Sequence, residues 1–209
     1  MMYNRTSRID HLLDAVAARQ PTPGGGSVSA LAGALAAATG EMVLNYSIGK
    51  KGLEAYENEL RPALAELHRA RELMLELMAE DQSAYTALLA ARKLPETVPD
   101  RAERITMALA ASIRAPQAIA ATAVAVLGVC DRVINFVNFH LLSDLAVAAD
   151  LAMATARCAV YNVRVNLSDV SDPHERQAIE STIGQTLSHA AVLIQRVSPR
   201  IWARHSETC

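Results

Sequence analysis

The chain has 209 residues, 51% hydrophobic and 20% charged, with 20 basic against 22 acidic side chains and 4% aromatic residues. That length suits one domain with a sizeable core, and a formal charge of -2 argues against a dedicated nucleic-acid binder, which needs a basic excess. Strictly uncharged apolar runs stay short of the ~20 residues that span a bilayer, and the polar opening, residues 1–10, lacks the apolar segment of a secretory signal.

Ser7, with Asp10 three residues on, predicts a capping box opening a short helix that ends near Arg19. Gln20-Pro-Thr-Pro-Gly-Gly-Gly26 then forbids regular structure. Ser27 is the expected N-cap of a helix reaching Leu44 or Ser47, built from Ala30, Gly33, Ala34, Ala37, Ala38 and Gly40. So smooth a surface lets another backbone approach, in a core or at a dimer seam. Gly49 and Gly52 end it. Apolar residues at Leu60, Leu64, Leu67, Met74, Met78, Tyr85 and Leu88 predict helix from about Glu54 to Arg92, kinked or restarted at Pro62. Pro95 and Pro99 mark a loop over 93–100. Helices over 101–113 and 117–135 are expected on either side of Pro116. Ser143 is the expected cap of a helix over 144–165, and Pro173 occupies the first turn of a last helix reaching Val197. No segment sustains a strand's alternation. The expected fold is all-α, a bundle of six to eight helices forming a single domain over residues 1–209, in a cytoplasmic protein with neither membrane nor nucleic acid as partner.

The sharpest local feature is the turn Gly24-Gly25-Gly26-Ser27. Glycines allow close approach of a ligand to the backbone, and a helix start offers free N–H groups to an anion. A tight entry turn with a capping serine explains the same residues equally well. Asp81 falls in phase with Met74, Met78 and Tyr85, on the apolar face of its helix. A carboxylate there needs a partner arginine, or its pKa rises toward acid–base usefulness. Asp150, in phase with Val147 and Ala154, is a second buried-acid candidate. Ser143 and Asp144 suit a helix N-terminus. Lys50, Lys51, Arg92 and Lys93 flank helix ends, from which they could hold a carboxylate-bearing ligand. The six histidines (His11, His68, His140, His174, His189 and His205) make no close ligand pair, and Cys130, Cys158 and Cys209 make neither a CxxC nor a disulfide framework, so no metal is expected. Ser27 and Ser143 have no nearby histidine–acid pattern that would support a covalent serine mechanism.

Beyond spacing, the residues themselves are familiar. Pro21-Thr-Pro-Gly-Gly-Gly-Ser-Val-Ser-Ala-Leu-Ala-Gly33 and Asn45-Tyr-Ser-Ile-Gly-Lys-Lys51 resemble the opening of the formiminotransferase-cyclodeaminase C-terminal family, which also holds bacterial methenyltetrahydrofolate cyclohydrolases. Asp81 to Tyr85, Lys93-Leu-Pro95, Ser143-Asp144 with Val147-Ala148, and Asn162-Val-Arg-Val-Asn166 match in the same order, over nearly the whole chain. Departures are confined: Val137 stands where the family has glycine, His140 where it has a second asparagine beside Asn138, Glu96 where a lysine often follows the Leu-Pro, and Asp150 where an aliphatic residue is usual.

The resemblance implies an all-α homodimer acting on a tetrahydrofolate one-carbon derivative, with no tightly bound cofactor. Cyclohydrolysis of 5,10-methenyltetrahydrofolate is the first expectation, because no fused transferase segment accompanies the chain. Ammonia-releasing cyclodeamination is the second. A diverged homologue acting on another amidine or iminium substrate, or a non-catalytic folate-binding or scaffold dimer, is the third. Under this resemblance Asp81 or Asp144 would move protons or steady the cationic carbon, with His140 as a replacement shuttle. Asn45 and Asn138 would orient the pterin or the water. Gly24, Gly25, Gly26, Ser27 and Ser143 would line the ligand, with Lys50, Lys51 and Lys93 near its glutamate tail.

Overall fold

A computed structural model describes residues 2–206; Cys209 and the outermost residues of the expected 1–209 domain lie outside the described residues. Six α-helices are present and no strand occurs among the described residues: α1 (Ile9–Ala17), α2 (Gly25–Asn45), α3 (Glu57–Arg92), α4 (Arg101–Val133), α5 (Leu142–Leu167) and α6 (Pro173–Ser206). Short 3-10 turns, Glu54–Tyr56 and Phe139–Leu141, lead into α3 and α5. Helices α2, α3, α4 and α5 form a four-helix bundle in which each packs on its neighbours in the ring, and α6 lies across α4 and α5.

The close packing of α2 on α3 follows a seven-residue register. A Cβ at Gly33 would meet Met74 and one at Gly40 would meet Leu67, while Gly26 faces Asp81. The glycines ascend α2 by sevens as their partners descend α3, so the helices are antiparallel with the repeat of left-handed bundle packing. Met74 and Leu67 are buried against bare backbone. Asp81 is the polar member of the same series.

Local rules fail where tertiary packing outweighs them. The capping box at Ser7 does not form: α1 starts after Arg8, which gives no side-chain cap, and Ser7 Oγ accepts from the Asn4 N–H at 3.0 Å instead. The N-cap of α2 is Gly24 rather than Ser27, and that of α5 is Leu141 rather than Ser143. Pro62, Pro116 and Pro199 all sit inside continuous helices, so 101–113 and 117–135 are one helix and α6 continues past Val197. At Pro116 the loss of one N–H frees the Ser112 carbonyl four residues back, and Asn166 Nδ2 of α5 donates to that carbonyl at 3.0 Å. Asp150 is exposed, not buried, because α5 is apolar on more than one side and periodicity cannot phase it.

If a few charges are tolerated, α2, α4 and the stretch Phe139–Leu167 are each long and apolar enough to cross a bilayer, in contrast to the uncharged-run criterion applied to the sequence. Within the bundle they are core helices, 56%, 56% and 39% buried over those windows. Both α2 and α5 also keep apolar side chains exposed. Val28, Leu35 and Met42 of α2, Tyr46 at its C-cap, and Val147, Tyr161 and Val165 of α5 are exposed.

Candidate functional site

At the end of the bundle where α2 begins, the turn 20–26 crosses α3, and Thr22-Pro23 is a cis peptide bond. The first intrahelical bond of α2 runs from the Val28 N–H to the Gly24 carbonyl at 3.0 Å, leaving the N–H groups of Gly25, Gly26 and Ser27 without helical acceptors. The anion that meets this helix start is Asp81 itself. Ser27 Oγ donates to Asp81 Oδ2 at 2.9 Å, and the Ser27 backbone N–H also bonds the carboxylate. A Cβ on Gly26 would lie 2.0 Å from Asp81 Oδ1. Only glycine fits there, and its purpose is to admit this carboxylate against the helix backbone.

No arginine pairs with Asp81 among the described residues, so the structural ion pair weighed for it is absent. Burial raises its pKa above the ordinary carboxylate value, and the two hydrogen bonds from Ser27 partly oppose that shift. A half-buried acid held by two donors and lacking a counter-cation can both steady a cationic ligand and exchange a proton with it.

Asp81 opens into a cavity of about 240 Å³ between α2, α3, α4 and α5. Its walls include Gly24, Gly25, Gly26, Tyr85, Ser112, Asn162 and Asn166. Asn162 lies against Gly25, where a Cβ would come within 3.0 Å of its Oδ1, and its Nδ2 donates to the Cys158 carbonyl at 2.9 Å. Asn162 and Asn166 share one face of α5 at a four-residue spacing. They were visible in the sequence as a family-like motif without an assigned part in the site; Ser112 carried no signal at all.

The remaining candidates gather elsewhere. Asn45 ends α2, about 30 Å of helix from Gly25, and Lys50 follows it. Lys50 Nζ donates to Asn138 Oδ1, the Asn138 N–H donates to Ser47 Oγ at 2.8 Å, and the His140 N–H donates to Asn138 Oδ1 at 3.2 Å. Asn138 therefore staples the 134–141 turn, which Arg204 also grips through the Val137 carbonyl at 2.9 Å. Val137, in the family's glycine position, is fully buried. His140 and Ser143 are exposed and Asp144 is half-buried. Along α5, Asp144 and Asn162 are separated by about 27 Å. Within one chain Asp144, His140, Asn138, Ser143, Asn45, Lys50 and Lys51 thus do not share the Asp81 cavity. Lys93 caps α3 at the cavity's end of the bundle, exposed and outside the lining. Among the described residues no cluster of three or more His, Cys, Asp or Glu could hold a metal.

The formiminotransferase-cyclodeaminase family profile matches residues 8–185. Over 193 residues the chain is 31% identical to a methenyltetrahydrofolate cyclohydrolase of Methylorubrum extorquens, covering 90% of this chain and 93% of that protein. It is also 31% identical over 193 residues to the formimidoyltransferase-cyclodeaminase of Rattus norvegicus, but covers 36% of it, so the chain spans about a third of that longer protein. The crystal structure of a formiminotetrahydrofolate cyclodeaminase from Thermotoga maritima superposes with a TM-score of 0.88 at 28% identity, covering 95% of this chain and 97% of that one.

Proposed function

Since the chain belongs to the formiminotransferase-cyclodeaminase family, we propose that it is a folate-dependent one-carbon enzyme, and specifically a methenyltetrahydrofolate cyclohydrolase. The single observation that carries the chemistry is Asp81, a carboxylate with a raised pKa and no cationic partner among the described residues, wedged against a helix start in a ring-sized cavity. Water adds to the cationic carbon bridging N5 and N10 while Asp81 accepts its proton. The tetrahedral carbon then loses its bond to N5, which takes up a proton, and the remaining hydroxyl becomes the formyl carbonyl on N10. One water is consumed and one proton released. The negative charge of Asp81 steadies the cation before attack, and general-base assistance of this kind contributes roughly 10²–10⁴-fold. The substrate is the folate itself; no tightly held cofactor is invoked, and the reaction is assigned to the cytoplasm.

The cyclohydrolase reading is favoured by the relative of that name, which this chain covers almost end to end. The Thermotoga protein, named a cyclodeaminase and also covered over 97% of its length, supports the second reading. Chain length therefore does not separate the two. The test supplies the purified protein with 5,10-methenyltetrahydrofolate, followed by loss of its absorbance, and separately with 5-formiminotetrahydrofolate, followed by released ammonia. Rapid absorbance loss with no ammonia is expected. Ammonia release without hydrolysis transfers the assignment to cyclodeamination, and consumption of neither substrate overturns it.

The same reading includes a homodimer through the exposed α2–α5 face. Val28, Leu35, Met42 and Tyr46 form a single stripe down α2. A two-fold axis crossing that stripe pairs α2 with its copy in antiparallel fashion. The far end of one α2, with Asn45, Lys50 and Lys51, then comes beside the partner's glycine turn, where basic side chains suit the ligand's carboxylate tail.

A further inference from the structure

Ser112 is 6% exposed, lines the same cavity as Asp81, and its Oγ is buried with no hydrogen-bond partner among the described residues. The other buried hydroxyls are all spent: Ser29, Ser47 and Thr155 donate to carbonyls four residues back, and Ser27 donates to Asp81. That back-bond is the default for a serine inside a helix, and Ser112 does not make it. A buried hydroxyl left unpaired is costly unless something else satisfies it.

Its neighbours are arranged to present further polar atoms. Asn166 spends both N–H groups on the carbonyls of Ser112 (3.0 Å) and Asn162 (3.1 Å). Its Oδ1 is thereby left as an acceptor. Asn162 spends one N–H on the Cys158 carbonyl and keeps a donor and an acceptor. The freed carbonyl that orients Asn166 exists because Pro116 cannot donate to it. At about 240 Å³ the cavity is below the ~300–1,000 Å³ usual for drug-sized ligands, so it takes a ring system and not a whole folate.

We propose that Ser112, with Asn162 and Asn166, hydrogen-bonds the flat aminopyrimidinone edge of the substrate's heterocycle, making Ser112 a specificity-determining contact in the Asp81 cavity. The inference rests on the folate reading and names the part of the folate that enters. An apolar ring would leave these groups unpaired, whereas an edge carrying both N–H donors and a carbonyl acceptor satisfies them.

The test is calorimetric titration of the wild-type chain and of Ser112→Ala with tetrahydrofolate, alongside their melting temperatures. The expected result is a Kd raised about tenfold, the weight of one hydrogen bond lost from a dry site, with a melting temperature equal to or above wild type, because alanine removes an unsatisfied hydroxyl. A Kd within twofold of wild type overturns the inference and leaves the folate reading standing. So does a lowered melting temperature with unchanged Kd, which would make the hydroxyl structural. If the wild-type chain itself binds no tetrahydrofolate, the folate reading falls and the inference falls with it.

Discussion

Three consecutive glycines meet three different surroundings. A Cβ at Gly24 would touch nothing within 4 Å, one at Gly25 would press on Asn162 at 3.0 Å, and one at Gly26 would strike Asp81 at 2.0 Å. None has a positive φ, so space and not backbone freedom sets their tolerance. Gly24→Ala adds a Cβ that meets no protein atom within 4 Å, leaves Asp81 in place, and is expected to lose far less turnover than Gly26→Ala even though Gly24 lines the cavity. Gly26→Ala must displace the carboxylate, and its turnover is expected to fall by about 100-fold or more in a protein that still shows a helical circular dichroism spectrum. Equal activity in the two variants would contradict the packing account. Asp81 was legible in the sequence because Met74 and Met78 fix the phase of α3. Ser112 was not, since a helical serine reads the same whether its hydroxyl bonds its own helix or stays unpaired beside a cavity.

Helix-scale reasoning succeeded on the number and kind of elements and failed at their joints. A proline inside a helix removes one hydrogen bond and costs about 3 kcal/mol by local rules. At Pro116 the freed carbonyl is taken by Asn166 from another helix, a compensation with no trace in the neighbouring residues. The apolar smoothness of α2 suits a core or a dimer seam, and one of its two sides is core while the other is exposed. Gly33 and Gly40 face α3, while Leu35, 52% exposed, faces outward. The proposed dimer makes Leu35 central to the interface. Sedimentation is expected to show wild type as a dimer and Leu35→Glu as a monomer of unchanged helical content, because a charge at the centre of an apolar contact has no partner there. A monomeric wild type at micromolar concentration would remove the dimer.

Across the whole molecule the sequence motifs separate into two groups at opposite ends of the bundle. The triple-glycine turn, Ser27 and Asp81 converge although 54 positions separate the last two. Ser47, Lys50, Asn138 and His140 converge at the other end, where they brace the turn that enters α5, and Asn45 lies exposed nearby. Order along the chain could not reveal this division, because α2 and α5 each carry one motif at either end and run antiparallel. The first group surrounds Asp81, whose pKa burial raises.

That carboxylate is the centre of the account, and the pH dependence of methenyltetrahydrofolate turnover addresses it most directly. Burial holds the Asp81 proton more tightly in the folded chain than in the unfolded one, so stability falls as pH rises from about 3.9 through the folded pKa. Removing the charge therefore does not lower the melting temperature at neutral pH. As a base Asp81 works ionised, and turnover is expected to rise with pH through that raised pKa. Ser27→Ala, which deletes a hydrogen bond to the ionised form, is expected to move this acid limb to higher pH. Asp81→Asn is expected to abolish the limb and lose about 100-fold or more in turnover. A folded Asp81→Asn protein with near-normal turnover and an unchanged acid limb would contradict the account.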